Sequence, residues 1–408
     1  MIASLLRAGR LVRLAARDGT LAGVAALALA AASTGVVIPV LRSLVSETGH
    51  GSVAAGVFAA AHVLGGVLGA MFGARALRRA GSARRLAAAA LAASVLITLA
   101  MASVASLELR IALRFLDGGC HLVAITTLVA AATAGDPEQR ARRAVIMGVA
   151  IVLGVAGGLG LGGAFQDPAA ALVMGAALSG AALITVLARR AAAPLPVAPP
   201  RRGGDRGPIA PGLLAFCERF SFGSMTVQMS FLAPPARVGL VLGVFMLASV
   251  LALGAAWRYA PRLGPRKLAA RSAIGFTLAL AASAAVDVLG SPVLALIWAL
   301  VAGASAGTLY ASALVLATGS AELEDRARGM ATVQAAGSAG HALGALSAGT
   351  LAFALPGMLV IAVPGVAVIA AAAIGVWFLV PDAARDCPVI GGLDASEPAL
   401  PQARTTPP

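Results

Sequence analysis

The sequence predicts an all-α polytopic membrane protein, with twelve transmembrane helices arranged as two pseudo-symmetric bundles of six. Three observations support this fold class: a strongly apolar composition, a regular series of apolar segments, and an internal repeat. Of the 408 residues, 59% are hydrophobic and 12% are charged, about half the charged fraction of a typical soluble domain. The 48 glycines and the low aromatic content of 4% suit helices that pack closely in lipid.

Apolar segments of about 20 residues, the length that spans a bilayer, recur twelve times between 20–42 and 356–380. The basic residues between them sort by side: 26 fall on one face of the membrane and three, Arg42, Arg110 and Arg237, on the other. Because positive charge marks the cytoplasmic side, both termini are predicted to be cytoplasmic. The Ala- and Gly-rich composition is typical of a GC-rich bacterial genome, so we expect a multi-pass protein of the bacterial inner membrane.

The twelve segments fall into two groups of six. The chain between the sixth and seventh segments is rich in Pro, Arg and Gly and cannot form a membrane helix. The predicted domains are a six-helix bundle at 1–188, a cytoplasmic linker at 189–210, a second six-helix bundle at 211–381, and a disordered cytoplasmic tail at 382–408.

The same features argue against other classes of protein. The net charge of +14 is spread over short clusters between apolar segments, and no recognition motif accompanies it, so a nucleic-acid partner is not expected. The three cysteines show no metal or disulfide spacing. The sequence contains no phosphate-binding loop and no nucleophile–base spacing. We therefore expect no cofactor, no metal and no enzymatic activity.

The second half of the chain repeats glycine spacings of the first. The fifth segment carries glycines four residues apart, and the eleventh carries matching glycines at one constant offset, as do the arginines that precede them. Small residues at this spacing allow helix backbones to approach closely. The predicted helix-packing residues are Gly154, Gly158, Gly162, Gly163, Gly340 and Gly344.

A tight glycine turn between basic residues is also repeated. In each half of the chain it joins the second and third apolar segments. We interpret these turns as gating loops of a transporter with two parallel halves that rock about a central site. The predicted gating-loop residues are Gly81, Arg84 and Arg85 in the first half, and Arg262, Gly264 and Arg266 in the second.

Four ionisable residues lie on one face of the fourth segment: Arg110, Arg114, Asp117 and His121, spaced i, i+4, i+7 and i+11. If the segment enters the bilayer near residue 107, Asp117 lies roughly 15 Å deep, near the midplane. A charge at that depth costs on the order of 3 kcal/mol on insertion scales. Either this helix lines a transport cavity, or Arg114 and Asp117 only neutralise each other and fix helix packing.

The seventh segment carries a second charged pair, Glu218 and Arg219. Glu218 is a candidate proton carrier because it lies roughly 10 Å deep; alternatively, the two residues form a pair near the interface, with Arg219 extending toward water. His62 and His341 stand apart from any carboxylate in the sequence, which favours packed, neutral residues. His121 lies one turn from Asp117 and is the better candidate for a proton relay.

Three motifs carry a family resemblance. Residues 114–120 match Arg-x-x-Gln/Asp-Gly-x-Gly, with Cys120 in place of the last glycine. The glycines of the fifth segment match Gly-x-x-x-Gly-Pro-x-x-Gly-Gly, with Leu159 in place of proline, and the loop at 78–85 echoes Gly-x-x-x-Asp-Arg-x-Gly-x-Arg-Arg, with Arg78 at the acidic position. In these motifs the chain resembles the major facilitator superfamily, over its whole length apart from the linker and tail.

The resemblance implies a fold in which spans 1, 4, 7 and 10 surround a central cavity, and it associates Arg114 with substrate or proton coupling. It also implies a monomer, and the glycine pattern of the fifth segment favours export modestly over uptake. The cavity-lining residues implied by the resemblance are Thr34, Gln228, Thr308, Tyr310 and Ser312.

We therefore expect a secondary active transporter that uses the proton gradient to expel a small amphipathic or organic compound. The candidate coupling and substrate residues are Arg114, Asp117, His121 and Glu218, and the expected partners are the small-molecule substrate, protons and the lipid bilayer. Two alternatives remain. One is uptake of a metabolite or organic anion, which would fit an exposed Arg110–Arg114 pair; the other is a membrane sensor or assembly protein that transports nothing.

Overall fold

The computed structural model describes residues 20–46, 51–80, 82–132, 137–188, 209–263, 265–318 and 323–379. Within these ranges the backbone is almost wholly helical, with twelve long helices and one short helix. In chain order they are α1 Thr20–Val37, α2 Leu41–Ser46, α3 Ser52–Ala80, α4 Ala83–Ser103, α5 Leu107–Ala132, α6 Pro137–Gly162, α7 Pro168–Ala188, α8 Ile209–Leu232, α9 Pro235–Leu263, α10 Pro265–Leu289, α11 Pro292–Thr318, α12 Leu323–Leu351 and α13 Leu359–Leu379.

Seven of the helices in the described ranges are long and apolar enough to cross a membrane, namely α3, α4, α5, α7, α9, α10 and α11, and shorter apolar stretches lie in α1, α6 and α13. The helix α8 is less apolar because protein rather than lipid surrounds it: nearly every residue from Ala210 to Ser230 is buried. A helix with so little lipid-facing surface tolerates polar side chains. The chain is a polytopic helical membrane protein, as its composition predicts.

The long helices form two bundles with the same internal packing. In the first bundle, α1 packs against α6 and α7, α3 against α5, and α4 against α5 and α7. In the second, α8 packs against α12 and α13, α9 against α11, and α10 against α11 and α13. The two patterns coincide when α1 and α3–α7 are matched in order with α8–α13. The sequence repeat therefore corresponds to a structural repeat.

The repeated glycines form the contact between the first and fifth long helices of each bundle. In the first bundle, a Cβ on Gly154 or Gly158 of α6 would overlap a carbonyl group of α1, and the same holds for Gly162. In the second bundle, a Cβ on Gly340 or Gly344 of α12 would overlap a carbonyl group of α8. Glycine is required at these positions because the two backbones touch there.

The two bundles meet through the helix pairs α3–α12 and α6–α9, and the close contacts lie at one end of the molecule. We call this the sealed end; it is where α6 and α12 end and where α3 and α9 begin. A Cβ on Gly163 would lie 3.0 Å from the carbonyl oxygen of Pro235, and a Cβ on Gly349 would lie 2.6 Å from that of Ser52. At the same end, Arg42 of α2 donates a hydrogen bond of 3.2 Å to the carbonyl of Phe231 in α8.

Some element boundaries differ from the sequence-based expectation. The first span does not continue to residue 42: α1 ends at Val37 and a separate short helix begins at Leu41, because Pro39 cannot supply the N–H that a continuous helix needs. Conversely, α3 continues past its apolar stretch to Ala80, through arginines and alanines that favour helix. Of the predicted linker, 189–208 lies outside the described residues and α8 begins at Ile209; the predicted tail also lies outside them.

Candidate functional site

The ionisable stripe of α5 is buried inside the first bundle. Arg114, Asp117 and His121 are 5%, 4% and 7% exposed, and Arg110 is 8% exposed. The helical spacing placed these residues on one face, and the structure shows that this face points toward the neighbouring helices α1, α3 and α4 rather than toward lipid.

Asp117 is the centre of this stripe because four side chains converge on its two carboxylate oxygens. Its Oδ1 accepts hydrogen bonds from Ser94 at 2.6 Å and Thr98 at 3.4 Å, both on α4. Its Oδ2 accepts a hydrogen bond from Nη1 of Arg114 at 3.0 Å and lies 3.4 Å from Nδ1 of His62 on α3. Hydrogen-bond donors around a buried carboxylate replace the water that would otherwise stabilise its charge.

His62 is the site residue that sequence reasoning missed, since it stands 55 positions away from Asp117 along the chain. A close approach of α3 and α5 brings the two together: a Cβ on Gly118 would overlap the carbonyl of His62, and one on Gly65 would overlap that of Phe115. The sequence signal was present in the small residues of both segments. It does not, however, reveal which two helices pair.

His121 connects this group of residues to α1. Its Nε2 lies 3.1 Å from the hydroxyl of Thr34, and its ring centroid lies 5.4 Å from that of His62. Thr34, predicted to line the cavity, therefore contacts a predicted coupling residue directly. We call His62, Arg114, Asp117 and His121 the Asp117 cluster; it draws on α3 and α5 and is contacted by α1 and α4.

Arg114 reaches toward the boundary between the bundles. Its guanidinium carbon lies 5.6 Å from the ring centroid of Phe58, within the range of a cation–π contact. Phe58 belongs to an apolar cluster that contains Ala345 and Val227 of the second bundle. In the described structure, Nε of Arg114 is buried without a hydrogen-bond partner. Arg114 thus pairs with Asp117 through one nitrogen and keeps one donor unused.

Arg110 does not belong to this cluster. Its Nε donates a hydrogen bond of 2.6 Å to the carbonyl of Val104, and its Nη1 donates one of 3.3 Å to the carbonyl of Leu44 in α2. The expectation of an exposed Arg110–Arg114 pair is wrong, because backbone carbonyls surround the first arginine and a carboxylate holds the second. Arg110 joins α5 to the preceding loop and to α2.

The second bundle holds a smaller ionisable group. Oε2 of Glu218 lies 3.1 Å from Nε of Arg219, and the guanidinium carbon of Arg219 lies 5.4 Å from the ring centroid of Tyr310 on α11. The Glu218 side chain is 9% exposed and that of Arg219 is 30% exposed. The pair is therefore asymmetric, with a buried carboxylate and a partly accessible cation.

The remaining predicted cavity residues bond to backbone carbonyls. Gln228 donates a hydrogen bond of 2.9 Å to the carbonyl of Gly357, next to the start of α13. Thr308 and Ser312 bond to carbonyls of their own helix, α11, and Ser312 is fully buried.

Part of the predicted gating loops can be described. Arg84 donates to the carbonyl of Leu187 at the end of α7, and the backbone N–H of Arg85 donates to Ser82, which caps α4. Arg266 lies in the first turn of α10. Gly81 and Gly264 lie outside the described residues, as does the side chain of Arg262.

Two depressions straddle the boundary between the bundles. One is an apolar groove of about 510 Å³ whose lining includes Val57, Leu64, Ile111 and Phe115 of the first bundle and Leu346 of the second. The other, of about 400 Å³, lies at the sealed end beside Arg42 and Pro235. Among the described residues, no group of His, Cys, Asp and Glu is arranged as a metal site.

Comparisons with known proteins agree with this architecture. Residues 212–401 match the model of the Major Facilitator Superfamily. The structure is similar to the crystal structure of the nucleoside transporter NupG, with a TM-score of 0.63 and 15% identity over 89% of this chain and 99% of that one. It is also similar to a bacterial homolog of the human lysosomal transporter Spinster in an inward-facing and occupied conformation, with a TM-score of 0.68 and 14% identity over 88% and 95% of the two chains. Among curated proteins, no sequence matches significantly. The second half of the chain therefore matches the family model in sequence, and the whole chain, with its two matching six-helix bundles, has the fold of the major facilitator superfamily.

Proposed function

We propose that the protein is a proton-coupled exporter of a small organic molecule, acting as a monomer in the bacterial inner membrane by alternating access. The observation that carries the proposal is the Arg114–Asp117 ion pair, buried in a transmembrane bundle with His62 and His121 against it. Ionisable groups inside a membrane are costly, so they mark ion or substrate pathways by default.

The contacts of the cluster suit a coupling role better than a purely structural one. A self-contained ion pair would need only Arg114 and Asp117, which are three residues apart on α5. Instead, Asp117 also binds side chains from two other helices, and Arg114 lies over Phe58 at the boundary with the second bundle. A change in the protonation of the cluster is thereby linked to the packing between the bundles.

Glu218 is the counterpart in the second bundle. Its buried carboxylate faces Arg219, which is itself partly accessible and lies over Tyr310. We propose that this group contributes the second half of the substrate or proton path. Thr34 and Tyr310 would take part because each contacts one of the two ionisable groups.

The charge distribution and the sealed end support a proposed orientation and conformational state. With the termini in the cytoplasm, as the positions of the basic residues indicate, α3 and α9 begin at the outer face. The glycine contacts of Gly163 and Gly349 then close the outside. We propose that the described conformation is inward-facing, with the transport path closed toward the exterior.

The test uses purified protein in liposomes that contain a pH-sensitive dye, with an imposed proton gradient. Nucleosides, cationic amphiphiles and organic acids are added in turn to wild type, Asp117→Asn, Glu218→Gln and the double variant. Asp167→Asn is the matched control, since this carboxylate caps α7 through the N–H groups of Ala169 and Ala170 and lies outside both ionisable groups.

We expect substrate-triggered proton flux in wild type and in the control, and its loss in the double variant. Full coupled flux in the double variant would contradict the proposal. The direction of substrate movement separates export from its alternative, uptake: accumulation of substrate against its gradient on the cytoplasmic side would establish uptake.

A further inference from the structure

We propose that His62 is the proton-binding partner of Asp117, and that it takes up a proton when Arg114 releases the carboxylate. This inference rests on the proposed function in that it names the group which binds the transported proton. His62 is 8% exposed, lies on α3 and contacts α5 through the Asp117 side chain.

Two side chains that can carry a positive charge, those of Arg114 and His62, face the same oxygen atom of Asp117. Oδ1 of Asp117 is occupied by the hydroxyls of Ser94 and Thr98. Oδ2 faces both Nη1 of Arg114, at 3.0 Å, and Nδ1 of His62, at 3.4 Å. In this structure Arg114 holds the shorter contact, and Nδ1 of His62 makes no aligned hydrogen bond. Arg114 and protonated His62 are thus alternative partners for the same atom.

The charges explain why the two partners would exchange. While Arg114 contacts Asp117, the pair is neutral and His62 has no need of a proton. If Arg114 turned away, the carboxylate would be left as an uncompensated buried charge, an arrangement that costs several kcal/mol. A hydronium ion in the open path gives its proton to Nδ1 of His62, so one O–H bond breaks, one N–H bond forms and water is left. The protonated His62 and the Asp117 carboxylate then make a neutral pair, and the proton returns to water when Arg114 comes back.

The other groups that face His62 fit this exchange. On α5, His121 lies with its ring centroid 5.4 Å away and is held by Thr34 of α1. Two positive imidazoles at this distance repel each other, so at most one of the two histidines is positively charged at a time. From the second bundle, His341 of α12 lies within electrostatic range of His62. Ser94 and Thr98 of α4 are uncharged.

The experiment is nitrogen-15 NMR of the full chain, labelled at histidine and held in lipid nanodiscs. The chain has four histidines, so the replacement of each by Gln assigns every signal. Wild type is compared with Arg114→Gln, which removes the competing cation, between about pH 5 and 8, where histidine titrates. Arg114→Lys, which keeps a charge but has a shorter reach, serves as a second variant in case the first does not fold.

In wild type we expect the two widely separated nitrogen signals of a neutral His62 ring. In Arg114→Gln these should collapse to the two close signals of an imidazolium, and in Arg114→Lys the change should occur at lower pH. A further Asp117→Asn substitution should restore the neutral pattern. His341, whose ring packs on Phe222, is the internal control and should keep the two widely separated signals of a neutral ring in every variant.

Neutral His62 signals in both arginine variants down to about pH 5 would overturn the proposal, as would an imidazolium that forms equally well in the presence of Asp117→Asn. The measurement needs no substrate. If coupled flux is never found but His62 responds as expected, the proposed function fails and the proton site stands. If coupled flux is found but His62 does not respond, the proposed function stands and the assignment of the proton to His62 fails.

Discussion

The hydroxyl of Ser52 donates a hydrogen bond of 2.9 Å to the carbonyl oxygen of Gly349, and so joins the first turn of α3 to the end of α12 across the two bundles. The equivalent contact on the other side of the boundary lies between Gly163 at the end of α6 and Pro235 at the start of α9. The sealed end is therefore closed by two contacts. In each of them, a glycine at the end of a long helix packs against the backbone of the other bundle.

Replacing Gly163 by leucine should separate the bundles at the sealed end, because its Cβ would already lie 3.0 Å from the carbonyl oxygen of Pro235. Overpacking of this kind typically costs about 1–3 kcal/mol. The distance between spin labels at Ser46 and Ala236, exposed positions on the two bundles, should increase. Gly160→Leu is the matched control because nothing lies within 4 Å of its Cβ position; an equal increase there would contradict this account of the sealed end.

Replacing Gly158 by valine should destabilise the first bundle, because the new side chain would overlap the carbonyl of Ala32 in α1. We expect a loss of about 1–3 kcal/mol or more in the free energy of unfolding, measured as a lower denaturation midpoint in detergent. The neighbouring Gly157 has nothing within 4 Å of its Cβ position, so Gly157→Val should leave the midpoint nearly unchanged. Equal losses in both variants would show that the α1–α6 contact is not the cause.

These glycine contacts were largely predictable from the sequence, whereas the membership of the Asp117 cluster was not. The four-residue spacing of Gly154 and Gly158, repeated in the second half, identifies a packing seam without knowledge of its partner. In the same way, the spacing along α5 places Arg114 and Asp117 on one face. The identity of a neighbouring helix, however, depends on the tertiary packing of the whole bundle, so His62 could not be paired with Asp117 in advance.

The environment of Arg110 illustrates the same limit. Charge and spacing suggested that it shares a binding surface with Arg114, because both side chains lie on one helical face. Its partners include the backbone carbonyls of Val104 and Leu44, and the position of a loop carbonyl leaves no pattern in the sequence. The short helix α2, which supplies the second carbonyl, was hidden within an apolar segment that looked continuous.

A double-mutant cycle on Arg114 and Asp117 should show strong coupling. Either Arg114→Gln or Asp117→Asn removes one member of the buried ion pair, a change that typically costs about 3–5 kcal/mol. The double variant should lose clearly less stability than the sum of the single variants, as judged by denaturation midpoints. Additive losses would mean that the two side chains, 3.0 Å apart in the structure, do not stabilise each other.

Arg110→Gln should lower stability without changing transport specificity. The substitution removes two charge-assisted hydrogen bonds to carbonyls, and bonds of this type contribute about 1.5–3 kcal/mol each. We expect a lower denaturation midpoint with an unchanged KM for whichever substrate the liposome screen identifies. Arg114→Gln, by contrast, should change coupled flux because it alters the partner of Asp117. A raised KM for an anionic substrate in Arg110→Gln, at normal stability, would instead place Arg110 in the substrate path and favour uptake of an organic anion.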